Sequence, residues 1–99
     1  MPLHETVNFV RETVLYIPTT GWTALRYGSS NAESRKYLSV FNRSPYKLFI
    51  TTDSSADVRH VRAIRQGGER IFPYSDRITL YARSGGARGA RVVIAEECG

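Results

Sequence analysis

The sequence predicts an all-β protein: a single-domain antiparallel β-sandwich, jelly-roll-like or immunoglobulin-like, of about seven or eight short strands. Three observations carry this. Apolar residues alternate with polar ones over short runs, as in Ile78, Leu80, Ala82 and in Ala90, Val92, Ile94, the period of a half-buried strand. Turn-forming residues separate the runs at intervals of roughly 8 to 12 residues. No long stretch has the period of an amphipathic helix.

Taken in order, residues 1–6 offer no periodicity and read as a loose terminus. Val7 and Phe9 begin an alternation, and Thr13 to Ile17 is β-branched and aromatic, as strands are. Pro18-Thr-Thr-Gly21 reads as a turn, and Trp22 to Tyr27 as the second strand of a first pair. Trp22, beside a turn in a small β domain, is expected to lid the core. Gly28 to Ser34 is small and polar, hence a loop.

Arg35 to Asn42 and the run containing Leu48 and Ile50 flank Arg43-Ser-Pro45 and predict a second hairpin, with Pro45 kept out of the ladder because it has no N–H to donate. Asp53 to Gln66 is ambiguous. Val58, Val61 and Ile64 recur at helical spacing, but the stretch is short and β-branched, and the extended reading is preferred. The last two strands, Ile78 to Arg83 and Ala90 to Glu96, are joined by six residues with three glycines, which predicts a closing hairpin whose glycines supply positive φ. The expected core is Leu38, Val40, Leu48, Ile50, Leu80, Ala82, Val92 and Ile94. Residues 97–99 read as a loose end, with Glu96 and Glu97 as solvated charges and Cys98 as a tail thiol.

With 99 residues the chain is long enough for one core that buries roughly 60 to 65% of its unfolded surface. A lone cysteine excludes an intrachain disulfide. The N-terminus lacks a basic-led apolar segment and no apolar run approaches a membrane span, so neither export nor a membrane partner is expected. His4, His60 and Cys98 show no paired metal-ligand spacing, so no metal is expected and no cofactor. Ser84-Gly85-Gly86 lacks a partner histidine, and neither double glycine precedes a helix, so no catalytic residue is assigned and the chain is expected not to be an enzyme.

The charge is distinctive. Fourteen Lys and Arg against nine Asp and Glu give +5, and twelve of the cations are arginine. Arginine presents a planar fork suited to carboxylates, phosphates and aromatic rings. The candidate interaction surface is therefore Arg59, Arg62, Arg65, Tyr74, Tyr81, Arg83, Arg88 and Arg91, with Phe72 beside them. Basic residues interleaved with aromatics suit single-stranded nucleic acid, but Arg and Tyr are also what protein interfaces select, and a protein partner is the preferred reading. A carbohydrate-binding module, with Trp22 as its platform, is a further alternative.

The runs Val14–Thr23, Leu38–Ile50, Gly67–Glu69, Ile78–Ser84 and Arg91–Glu96, in this order and spacing, resemble the small β-sandwich proteins of tailed-bacteriophage virions. In that group an Asn-x-Ser/Gly hairpin, a Gly-Gly turn and a Leu-Tyr-Ala strand before a valine-rich last strand recur in decoration, minor capsid, neck and tail components. The likeness covers most of residues 13–96. It implies a multi-copy structural protein of the virion, assembled in the host cytoplasm. Its implied partners are the major capsid or neck and tail subunits and further copies of itself, a trimer before other states.

Overall fold

The computed structural model describes residues 9–58 and 61–99. Eight strands follow one another: β1 (Phe9–Ile17), β2 (Thr23–Ala24), β3 (Arg35–Asn42), β4 (Leu48–Thr51), β5 (Arg62–Ile64), β6 (Glu69–Phe72), β7 (Tyr81–Ser84) and β8 (Ala90–Cys98). They form two four-stranded sheets, in the orders β1-β8-β3-β6 and β2-β7-β4-β5, with every pairing antiparallel. The all-β sandwich is as expected. Its connectivity is that of the jelly roll: apart from β4 to β5, consecutive described strands lie in opposite sheets.

That connectivity overturns the hairpins. β1 and β2, β3 and β4, and β7 and β8 each pair with strands distant in sequence, and the turns between them are arches from one sheet to the other. Alternation records only which side of a strand is buried, and an arch needs the same glycine and proline chemistry as a hairpin, so local sequence does not separate the two.

The glycines of the last arch also serve another purpose. Positive φ occurs at Gly21, at Gly67 and at Ser34, but at none of Gly85, Gly86 and Gly89. Instead, a Cβ on Gly86 would stand 2.1 Å from the Tyr46 ring, and one on Gly89 2.2 Å from the Tyr16 ring. These glycines make room for aromatic rings rather than for a turn.

The core lies where expected. Leu38, Val40, Val92 and Ile94 from the first sheet meet Leu48, Ile50, Ala82 and the adjoining Leu80 from the second, and all eight are buried, joined by Ile17, Leu25, Ile64 and Ala90. Each fully buried aliphatic side chain contributes roughly 1.5–3 kcal/mol relative to exposure, which makes this cluster the main source of stability. Trp22 stays outside it, half-buried, its indole N–H donating to the Ala56 carbonyl at 3.3 Å. The described part of the ambiguous stretch holds strand β5 and no α-helix, and Arg59 and His60 lie outside the described residues, as do residues 1–6.

The chain end departs most from expectation. Residues 97 and 98 are strand, Glu96 and Cys98 are buried, and Glu96 is 0% exposed. Inward positions on β8 recur at Ala90, Val92, Ile94, Glu96 and Cys98, so the pleat carries a carboxylate and a thiol into the interior. The partner for that carboxylate is Arg35, and a bulge places it there. Arg35 lies opposite Cys98 and Tyr37 opposite Glu97, so one extra residue on β3 reverses the phase and turns Arg35 inward.

Candidate interaction surface

The arginines singled out by sequence do not share one face. Arg91 projects from the outer face of the first sheet, between buried Ala90 and Val92. Arg83 and Tyr81 project from the outer face of the second sheet, on the opposite side of the sandwich, and the Arg83 Nε–H is committed to the Thr19 carbonyl at 2.8 Å. Arg88 is exposed in the arch between β7 and β8, where its carbonyl accepts a bond from the Ser84 hydroxyl at 2.6 Å. Arg62 and Arg65 are exposed on and just after the edge strand β5, and Arg59 lies outside the described residues. The basic face interleaved with aromatics is therefore absent among the described residues. Three-residue spacing groups Arg62 with Arg65, but the sandwich sends Arg83, Arg88 and Arg91 to two faces and a loop.

Tyr74 belongs to a different feature. Its ring stacks on Phe72, with centroids 5.1 Å apart. The pair lines a cleft of about 580 Å³ between the sheets, opposite Ile50, Thr51 and Arg62 and bordered by Asp53. The Asp53 carboxylate accepts bonds from the Ser55 hydroxyl at 2.7 Å and from its N–H at 3.0 Å. Those bonds hold its pKa below the usual carboxylate value, but they belong to a loop's own turn.

The buried charges, in contrast, are structural. One Glu96 oxygen, Oε2, accepts from the Arg35 guanidinium at 2.9 Å and from the Ala32 N–H at 2.9 Å, while Oε1 accepts from the Tyr27 N–H at 3.0 Å. Arg35 also donates to the carbonyls of Tyr74, Ser75 and Ile78. One ion pair thus pins the loop between β2 and β3 and the loop between β6 and β7 to the same end of the sandwich. Both side chains are sealed from solvent, which leaves no approach for a substrate.

A second polar node closes the opposite arches. Asn42 is fully buried; its amide donates to the carbonyls of Tyr46, Ile64 and Arg65, and its oxygen accepts from Ser44. The Asn42-Arg43-Ser44 sequence is therefore a turn-locking device.

What remains exposed and unexplained by the fold is the outer face of the first sheet. Pairing registers arrange its outward residues in rows: Val10, Glu97, Tyr37; then Glu12, Ala95, Ser39, Ile71; then Val14, Val93, Phe41, Glu69; then Tyr16 with Arg91. Val10, Val14, Tyr16 and Ile71 are 50%, 57%, 68% and 43% exposed. A solvated sandwich face is ordinarily polar outward, whereas sheets covered on both sides are apolar on both. An apolar tract of this kind marks an interaction site. Sequence alternation conceals it, because Val14, Tyr37, Phe41 and Val93 read as the outward half of half-buried strands.

No protein-family model, curated protein or solved structure matches this chain. Among the described residues no group of three or more His, Cys, Asp or Glu side chains is placed to hold a metal ion, and no helix is long and apolar enough to cross a membrane.

Proposed function

We propose that this protein is a non-enzymatic assembly module, a structural component of a bacteriophage virion that docks on other virion proteins. The place proposed for it is a multi-copy capsid decoration or minor capsid protein, with a neck, tail or baseplate position as the alternative within the same particle. One observation carries the reading: the outer face of the first sheet exposes Val10, Val14, Tyr16 and Ile71 where a sandwich meeting only water would be mostly polar. The contact surface is accordingly this face, in place of a single arginine patch. The jelly roll supports it as an architecture used in capsid and lectin domains, an argument by analogy of fold. The test is quantitative proteomics of purified particles of the virus encoding the chain. High copy number supports the capsid, the stoichiometry of one ring supports the neck or tail, and absence from particles refutes the proposal.

A second reading, carbohydrate binding, is favoured by the cleft that holds the Phe72 and Tyr74 rings beside Arg62 and Asp53. Aromatic rings with flanking polar groups suit sugar faces and hydroxyls. Glycan-array binding lost on Tyr74→Ala would establish it. Trp22, the platform expected for this reading, is half-buried with its indole N–H bonded to the Ala56 carbonyl, so Tyr74 in the cleft is the residue chosen for the test.

A further inference from the structure

We infer that the outer face of the first sheet is where two copies of this chain meet, stacked face to face with their strands antiparallel. The inference rests on the assembly reading above and names the partner for that surface. The outward residues of β8 are Arg91, Val93, Ala95 and Glu97. Reversed, this run is its own complement: Arg91 faces the partner's Glu97, Val93 faces the partner's Ala95, and each contact occurs twice about a twofold axis. A twofold interface requires such self-complementarity.

The neighbouring strands fall into register under the same rotation. The same rotation lays the row Glu12, Ala95, Ser39, Ile71 over the partner's row Val14, Val93, Phe41, Glu69, and it lays Val10 over the partner's Tyr16. Val93, Ala95, Phe41 and Ser39 fill the middle. On β8 the charges lie at the two ends, Glu97 at one and Arg91 at the other, while Glu12 and Glu69 lie on the edge strands β1 and β6, at the rim of the face. An axis running along the strands would instead set Arg91 near its own copy and Glu97 near its own copy, and like-charge contacts cost several kcal/mol.

The dimensions are sufficient. β1 and β8 are nine residues each, which makes the face about 30 Å long and, at four strands, about 19 Å wide. Allowing for the short β6, two copies would bury on the order of 1,000 Å², the lower bound for a specific interface. At a sheet separation of about 10 Å the long Arg91 and Glu97 side chains reach across the gap. Glu97 keeps an oxygen bonded to the Ser39 hydroxyl at 3.1 Å, which holds the carboxylate on this face.

The test is sedimentation equilibrium of the full chain, with circular dichroism and thermal melts verifying the fold of each variant. The wild type is expected to be a dimer. Arg91→Glu alone and Glu97→Arg alone should each weaken dimerisation by about tenfold or more by opposing like charges, and the double exchange should restore it. Should Glu97→Arg unfold, Val14→Glu, at an exposed position outside the core, serves as the second disrupting variant. A monomeric or trimeric wild type, single variants that dimerise normally, or a double exchange without recovery would each overturn the inference. Incorporation into particles is measured separately, so a chain that enters particles but never pairs with itself refutes the inference and leaves the assembly proposal standing.

Discussion

The Arg35 guanidinium meets the Glu96 carboxylate at 2.9 Å with both side chains at 0% exposure, and this pair ties two loops of the sandwich to its closing strand. Taking two charges out of water is costly, and such a pair is tolerated when its remaining hydrogen-bonding capacity is met, as here by backbone N–H and C=O groups.

Removal of one partner leaves the other buried and unpaired. Glu96→Ala or Arg35→Ala should therefore lower stability by about 3 to 5 kcal/mol, or lower the melting temperature by roughly 15 °C or more in a domain of this size. The double variant Arg35→Ala with Glu96→Ala should lose less than the sum of the two single losses. Denaturant melts of the four proteins give the coupling, and strict additivity would show that the pair does not act as a unit.

Gly86 is required for space and Gly21 for its backbone angle. Gly86→Ala drives a methyl group into the Tyr46 ring and should cost about 1 to 3 kcal/mol. Most of that cost should vanish in a Tyr46→Ala background, since the Tyr46 groups bonded to Asn42 and Ser44 are backbone. Gly21→Ala, at φ 71° and with nothing near, should lose stability to the same extent in either background. Equal behaviour of the two glycines would contradict this assignment.

Cys98 is buried on β8, where desolvation first, and the nearby Glu96 charge second, push its thiol above the ordinary value. The unfolded chain therefore ionises this group first. Stability from Cys98 is complete below the unfolded-state value of about 8.5 and declines as pH rises from there through the folded-state value. Melts at increasing alkaline pH should show a steeper fall for the wild type than for Cys98→Ala. Native protein should also react slowly with a thiol reagent until denaturant is added, and rapid reaction of the folded protein would show that the thiol is open to solvent.

Much of the fold was legible in local sequence. Alternation at Leu38 and Val40, at Leu48 and Ile50, and at Val92 and Ile94 placed the core, because the two-residue period of a strand leaves burial written in the chain. Glu96 was legible too: it continues the phase of Ala90, Val92 and Ile94, and only its charge argued against burial. Arg35 was not, because a bulge at the start of β3 reverses the phase. The apolar outer face was legible residue by residue but not as a surface, since Val14, Val93 and Phe41 come from three strands that only pairing brings abreast.

By itself, then, the sequence determined the class of fold, the buried side of each strand and where the chain turns, since each of these is governed by interactions between residues near in sequence. Tertiary structure decided which strands pair, that every expected hairpin is an arch, that the arginines disperse over two faces, and that a carboxylate near the chain end finds its counter-charge more than half the chain away. These outcomes depend on contacts between distant segments. Strand pairing satisfies the same backbone groups whichever neighbour supplies the partner, and only the packing of both sheets on one core selects among the alternatives.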